Sequence, residues 1–90
     1  MSDWTVYMLR CGDKSLYTGI AKDVVRRVFE HNHDDALAAK YTRGRRPVKL
    51  VYQEAWATRS KAGKREYEIK QMKKVEKERL VKSFSRAAKK

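Results

Sequence analysis

The chain has 90 residues, a length that suits one domain. Its 23 Lys and Arg residues against 11 Asp and Glu residues give a formal net charge of +12, and 41% of the residues are hydrophobic, which is enough for one small core. The absence of a signal-peptide pattern and of an apolar run of ~18 residues predicts a cytoplasmic protein outside the membrane, and a lone Cys11 excludes an intramolecular disulfide and a multi-cysteine zinc site.

The first third of the chain predicts a β-hairpin followed by a helix. Residues 5–9 and 16–20 are rich in β-branched and aromatic side chains, and the segment between them has turn composition. Tyr7 and Tyr17 would then lie on neighbouring strands, both available to one face. From residue 22 to about residue 32 the spacing becomes helical. The apolar stripe expected on this helix comprises Val24, Val25, Val28 and Phe29.

The rest of the chain predicts one strand and two helices. Residues 36–41 are expected to add a turn of helix, and residues 42–47 form a basic loop that ends at the only proline. Residues 48–52 have strand composition, and helices follow over about residues 58–73 and 76–87. Their expected core contacts are Ala62, Ile69, Met72, Leu80, Val81 and Phe84. The order β-β-α-β-α-α predicts a mixed α/β (α+β) fold, with a three-stranded antiparallel or mixed sheet flanked by helices.

Positive charge is concentrated in two segments. Residues 70–90 carry nine basic residues against Glu76 and Glu78. Residues 39–49 contain no acid and five bases, which are Lys40, Arg43, Arg45, Arg46 and Lys49. Two such clusters favour a nucleic-acid-binding surface, because bases that neutralise phosphates release condensed counterions. The alternative is a solvated basic surface that only aids solubility.

Two other candidate sites have weaker support. His31 and His33 invite a metal-site interpretation, but residues two apart on a helix point to different sides, whereas helical zinc pairs sit four apart. Cys11 is expected at a strand end or in the turn, without a role as a nucleophile.

Five polar residues occur in order along the chain, namely Tyr7, Tyr17, Arg27, His31 and Glu66. Residues 5–7 and 17–19 stand at the positions of two strand motifs, residues 65–70 match a glutamate helix, and residues 40–48 match a basic segment. The chain thereby resembles the GIY-YIG nuclease superfamily, specifically the small single-domain bacterial group (UPF0213-like) related to the Slx-type structure-specific endonucleases. The resemblance covers about residues 4–80.

This resemblance implies a GIY-YIG nuclease domain over residues 1–82, followed by a basic tail at residues 83–90. It implies a DNA endonuclease that depends on Mg²⁺ (or Mn²⁺), with the metal ion held by Glu66. Tyr7 would be the general base for the attacking water, or would orient it. Tyr17 would position the water or the phosphate.

The resemblance also implies that Arg27 clamps the scissile phosphate and that His31 transfers a proton. Contacts to the nucleic acid are expected from Gly19, Lys40, Tyr41, Thr42, Arg43, Arg45 and Arg46.

Each role has a structural alternative. The two tyrosines can be packing partners across the hairpin. Arg27 and Glu66 each have an opposite charge four residues away, Asp23 and Lys70 respectively. His31 can be a solvated residue at the helix end.

Two departures from the family pattern favour a second interpretation. Ile20 stands where some relatives have lysine, and Asn32, the only asparagine, does not match the asparagine that often follows the glutamate helix. The alternative is a module that binds DNA or RNA, with weak or lost nuclease activity. We expect a monomer, and the nuclease would act in DNA repair or processing. Its specificity would come from DNA structure or from a protein partner.

Overall fold

A computed structural model describes residues 3–88 as a three-stranded sheet with helices on both of its faces. The elements in chain order are β1 (Trp4–Arg10), β2 (Leu16–Ala21), α1 (Val24–His33), α2 (Lys40–Arg43), β3 (Lys49–Trp56), α3 (Arg59–Gln71) and α4 (Lys74–Ala88). The strand order is β2-β1-β3, and both strand pairs are antiparallel. The predicted α+β class and element order are confirmed. The extra helical turn is α2, which lies at residues 40–43 instead of 36–41.

The central strand β1 divides the core into two layers, because successive side chains of a strand point to opposite faces. Val6 and Met8 pack in one cluster with Ala62 and Ile69 of α3, and the expected contacts of α4 join this cluster. Tyr7 belongs to a second cluster with residues of α1. The sheet therefore separates α3 and α4 from α1.

The apolar stripe predicted for α1 is partly wrong. Val24 is buried, but Val25 and Phe29 are 82% and 62% exposed. The face toward the sheet instead carries Val24, Val28 and His31, at the i, i+4, i+7 spacing of a single helical stripe. Val25 and Phe29 each follow one of these residues, so they are turned by one helical step toward solvent.

Side-chain caps fix where the long helices begin. The carboxylate of Asp23 accepts a hydrogen bond from the Arg26 backbone N–H at 3.0 Å and caps α1. The hydroxyl of Thr58 caps α3 in the same way through Lys61. Both helices therefore begin directly after a residue that satisfies a free backbone donor.

The last helix includes most of the segment expected to be a tail. Helix α4 continues to Ala88, and the Phe84 ring packs edge-on against Tyr52 with ring centroids 5.8 Å apart. Residues 89–90 lie outside the described residues. Within the part of the chain that the structure describes, no helix is long and apolar enough to cross a membrane.

The loop between α2 and β3 is held at both ends. The Asn32 side chain donates to the Val48 carbonyl at 3.0 Å and accepts from the Val48 N–H at 2.7 Å. On the hairpin side, the Gly12 N–H donates to the Arg45 carbonyl at 2.7 Å. These bonds position the basic segment next to the hairpin and α1.

Candidate active site

The Tyr7 side chain lies across the neighbouring strand β2. Gly19 is its partner in the β1–β2 register, and a Cβ atom built on Gly19 would be 2.6 Å from the Tyr7 hydroxyl oxygen. Gly19 is buried, so its backbone serves as the floor beneath Tyr7 and is not part of the exposed surface. The sequence had placed Gly19 among the nucleic-acid contacts.

A buried hydrogen-bond chain begins at the Tyr7 hydroxyl. This hydroxyl is 2.9 Å from Nε2 of His31, and Nδ1 of His31 is 2.8 Å from Oγ1 of Thr42. The Thr42 hydroxyl in turn donates to the Ala39 carbonyl at 3.0 Å. His31 is fully buried, so the alternative of a solvated histidine at the helix end is wrong.

Burial displaces the pKa values of the first two groups in opposite directions. It raises the pKa of Tyr7 well above the usual range of a phenol; Tyr17 adds to this shift, Arg27 opposes it, and Glu66 contributes to it. Burial, together with the positive charge of Arg27, lowers the pKa of His31 to about 4. At neutral pH the pair is therefore a neutral phenol beside a neutral imidazole.

Arg27 points toward the same site from α1. Its Nη1 donates to a carboxylate oxygen of Glu30 at 3.0 Å and to the Leu37 carbonyl at 2.7 Å. Asp23, the partner suggested by the sequence, instead caps the helix. Arg27 is thus held through one guanidinium nitrogen, Nη1. The remaining N–H donors of the guanidinium group are available to bind an anion.

Tyr17 connects the site to the basic segment. Its ring stacks on Tyr41 at 5.8 Å, meets the edge of His31 at 5.3 Å, and lies 6.4 Å from the Tyr7 ring. The Arg45 guanidinium covers the Tyr41 ring at 4.0 Å. The predicted placement of both hairpin tyrosines on one face is confirmed, and the packing alternative describes part of their role.

Glu66 belongs to the layer on the other face of the sheet. Helix α3 packs on the opposite face from Tyr7, and Glu66 lines a cleft of about 410 Å³ with Ile20 of the edge strand β2. The lining of this cleft does not include Tyr7, Tyr17, Arg27 or His31, and the charge of Glu66 is the smallest of the causes that shift the Tyr7 pKa. Glu66 also pairs with Lys70 at 3.2 Å, as the structural alternative proposed.

The single carboxylate of Glu66 limits the kind of metal site that can form there. No cluster of three or more histidine, cysteine or acidic side chains occurs within residues 3–88. A closed protein cage is therefore absent from the described residues. A half-buried carboxylate in an open cleft instead fits Mg²⁺, which keeps several waters and binds through one or two carboxylates and a substrate phosphate.

The predicted nucleic-acid contacts fall into two groups. Lys40 and Arg43 are exposed on the outer side of α2, and Tyr41, whose ring stacks on Tyr17, is 37% exposed. Thr42 is fully buried against His31 and cannot reach a nucleic acid. Arg45 is bound to Asp13. Arg46 donates to the His31 carbonyl and to Asp35.

The sequence interpretation missed the roles of Thr42 and Asn32. Both residues act through hydrogen bonds to groups 11 and 16 positions away, to which no local spacing points. The expectation that His31 and His33 face different sides is confirmed, because His33 is exposed and stacks on Phe29 at 4.6 Å. Cys11 is buried in the core, in line with a structural role.

Comparison with known proteins gives one family throughout. Residues 3–79 match the GIY-YIG catalytic domain. A UPF0213 protein of Staphylococcus aureus is 55% identical over 82 residues, which cover 91% of this chain and 98% of that protein. A UPF0213 protein of Desulfotalea psychrophila is 52% identical over 80 residues, covering 89% of this chain and 72% of that protein.

Two solution NMR structures are similar in fold. The UPF0213 protein BH0048 from Bacillus halodurans is 42% identical, with a TM-score of 0.57 over 89% of this chain and 83% of that chain. The protein EF2693 from E. faecalis is 36% identical, with a TM-score of 0.63 over 94% of this chain and 88% of that chain.

Proposed function

The chain belongs to the GIY-YIG family of nucleases, and on this premise we propose that it is a DNA endonuclease that requires a divalent metal ion, Mg²⁺ or Mn²⁺. The observation that carries the proposal is the hydrogen bond of 2.9 Å between Tyr7 and His31, with Arg27 beside it. A phenol, an imidazole and a guanidinium in one site supply proton transfer and charge stabilisation, which hydrolysis of a phosphodiester needs.

Tyr7 and His31 act together as the general base. A phenol with a raised pKa does not hold a lasting negative charge at neutral pH, so Tyr7 must release its own proton as it takes one from water. His31 is neutral at that pH and lies at hydrogen-bond distance to receive that proton. A bound phosphate raises the pKa of His31, because a nearby anion favours the imidazolium.

Arg27 stabilises the charge that develops on the phosphate. Its contacts with Glu30 and the Leu37 carbonyl fix the guanidinium before substrate binds. A donor that is already oriented loses little conformational freedom in the transition state, so its interaction favours the reaction over simple binding. Tyr17, beside Tyr7 and His31, positions the water or the phosphate by hydrogen bonding.

Glu66 would hold the metal ion through its carboxylate. When bound, a divalent cation supplies neutralisation of charge on the phosphate oxygens and on the leaving oxygen. The carboxylate must leave Lys70 to do so. That contact is a partly exposed i, i+4 ion pair, which contributes little free energy, so the exchange costs little.

The substrate is recognised through its backbone. Lys40 and Arg43 are exposed on α2 next to the site, and phosphate contacts of this kind carry no base information. We therefore assign a preference for DNA structure over base sequence, a role in DNA repair or processing, and targeting through a protein partner. The protein would act as a monomer.

The decisive experiment is cleavage of labelled branched and single-stranded DNA by the purified protein in Mg²⁺, in Mn²⁺ and in EDTA. We expect nicks that require the metal ion. Tyr7→Phe and Arg27→Ala should each lower the rate by about 10²-fold or more. Glu66→Gln should lower it comparably and abolish the response to metal concentration.

Each variant has a control of the same residue type at an exposed position. Glu68→Gln and Arg26→Ala alter exposed residues on α3 and α1, and Tyr67→Phe removes an exposed phenol. These controls should cleave at the rate of the unaltered protein. Equal cleavage by Glu66→Gln and Glu68→Gln would indicate a contaminating nuclease and refute the assignment. If RNA of matched structure were cleaved faster than DNA, RNA would replace DNA as the assigned substrate.

One observation favours the second candidate, a nucleic-acid-binding module with weak or lost activity. Ile20 lines the Glu66 cleft with an apolar side chain, where a lysine would add a positive charge near the phosphate. On this alternative, binding to DNA falls steeply with salt, survives EDTA, and is unchanged or stronger in Glu66→Gln. Loss of binding in EDTA would refute it.

A further inference from the structure

We propose that Thr42 is a positioning residue of this site, and that its hydroxyl holds His31 in the tautomer that accepts a proton from Tyr7. The proposal rests on the function proposed above and deepens it. It concerns a residue that would not itself touch the nucleic acid, because its side chain is fully buried.

The direction of the hydrogen-bond chain follows from the number of available hydrogens. A threonine hydroxyl carries one hydrogen, and that of Thr42 lies 3.0 Å from the Ala39 carbonyl, which can only accept. In the arrangement that the proposal requires, this hydrogen points to the Ala39 carbonyl, so the Thr42 oxygen accepts at its contact of 2.8 Å with His31 and Nδ1 of His31 carries a hydrogen. Neutral imidazole has only one N–H, and Nε2 is therefore free to accept from Tyr7.

The opposite tautomer needs a different arrangement of the same groups. With hydrogen on Nε2, Nδ1 would accept from the Thr42 hydroxyl at 2.8 Å and from the Ala39 N–H at 3.4 Å. The Thr42 hydroxyl would then leave the Ala39 carbonyl, which keeps the backbone N–H groups of Thr42 and Arg43 as donors at 3.1 Å. In that arrangement Nε2 donates to Tyr7 and cannot take its proton. Thr42 thus decides whether the pair can work as a base.

Titratable groups face His31 from every element that packs against it. Tyr7 and Tyr17 face it from the sheet. From its own helix, Arg27 lowers its pKa and Glu30 raises it, and Arg46 of the basic segment lowers it. None of these groups contacts Nδ1 in the structure, whereas Thr42 does. The control of the tautomer therefore falls to an uncharged group.

Thr42, which contacts His31, lies in the same short helix, α2, as exposed basic residues. The neighbouring Lys40 and Arg43 are exposed on the outer side of the same helical turn. One turn of helix then presents two basic side chains to the nucleic acid on one side and orients His31, the proton acceptor, on the other. The segment that the sequence assigned to binding alone also belongs to the catalytic machinery.

The test compares Thr42→Val, which removes the hydroxyl at nearly constant shape, with Thr42→Ser, which keeps it. The control is Thr18→Val, which changes another buried threonine away from His31. The first measurement is the ¹⁵N NMR spectrum of the His31 ring at neutral pH, without substrate. We expect the Nδ1–H form in the unaltered protein, in Thr42→Ser and in Thr18→Val. Thr42→Val should lose it or mix it with the Nε2–H form.

The second measurement is cleavage of DNA over a range of pH. Thr42→Val should lower kcat about tenfold or more and alter the pH profile, with unchanged DNA affinity, and Thr42→Ser should restore both.

An Nε2–H tautomer in the unaltered protein would overturn the proposal even if Thr42→Val does not fold. An unchanged Nδ1–H form in a folded Thr42→Val would also overturn it. The tautomer can be measured whether or not the protein cleaves DNA, so failure of the proposed nuclease function is seen separately, as absence of cleavage by the unaltered chain.

Discussion

Arg10 and Glu78 form a two-point ion pair that ties the end of β1 to α4. The two guanidinium nitrogens donate to the two carboxylate oxygens at 2.5 and 2.6 Å. The residues are 68 positions apart, and both side chains are about one-third exposed. A forked contact of this kind fixes orientation as well as distance.

We expect Glu78→Gln to lower the free energy of unfolding by about 1 kcal/mol, since partly exposed ion pairs contribute little more. Arg10 lowers the pKa of Glu78, so the contribution is present above the pKa of a free glutamate and is lost as the pH falls through the lowered value. Urea unfolding of Arg10→Met, Glu78→Gln and the double variant gives the coupling energy. A coupling of zero would contradict the prediction.

Gly19 should not tolerate a side chain. In Gly19→Ala the new methyl group would meet the Tyr7 hydroxyl oxygen at 2.6 Å, so the Tyr7 ring must move away from His31. We expect cleavage to fall by about 10²-fold or more, as for loss of the base. The control is Gly44→Ala, because a Cβ atom there meets nothing within 4 Å and Gly44 does not line the Glu66 cleft. Equal cleavage by the two variants would show that the position of Tyr7 is unimportant.

His31 should make the protein less stable in acid. Its pKa is about 4 in the folded protein and about 6.5 in an unfolded chain, so below pH 6.5 the unfolded chain binds the proton first. The contribution of His31 to the free energy of unfolding is full above pH 6.5 and is lost as the pH falls from 6.5 to 4, by up to about 3 kcal/mol. Urea unfolding across this range should show the slope in His33→Gln and lose it in His31→Gln. Equal slopes in these two variants would contradict the assignment.

Asn32 should stabilise the start of β3. Asn32→Ala removes both hydrogen bonds to the Val48 backbone and leaves a partly buried N–H and carbonyl without partners. We expect a loss of about 1–3 kcal/mol in the free energy of unfolding. His33→Ala, on the exposed side of α1, serves as the control and should change it by less than about 0.5 kcal/mol. Hydrogen exchange at the Val48 amide should accelerate in Asn32→Ala alone.

The elements that the sequence predicted correctly are those with a local signal. The hairpin has two β-branched and aromatic runs with a turn between them, and α3 has a capping threonine and an apolar face. Strand β3 continues past residue 52 because Glu54 binds Arg65 of α3, and because Trp4 of β1 pairs with Trp56. Such partners lie in other elements, so composition alone could not extend the strand.

Residues of the site were predictable from the sequence, but the hydrogen bonds that join them were not. Family spacing brought Tyr7 and His31 together, and their rings are close in the structure. Thr42 was named as a contact to the nucleic acid because it lies beside the basic loop, with packing left open as the alternative, and the structure buries it. A hydroxyl group is small and neutral, so it can be buried when it is paired. Only the folded chain shows that its nearest polar partner is a histidine 11 residues earlier.

The turn of the hairpin lies on the surface, but it also packs against the basic segment. A side chain at Gly12 would come within 2.7 Å of the Arg46 carbonyl, and Asp13 binds Arg45 at 3.0 Å. Epitope tags, fluorophores or extra residues inserted there would push apart the hairpin and the segment that carries Thr42. For biophysical labelling, the solvent-facing side of α1 around Val25 is the safer position.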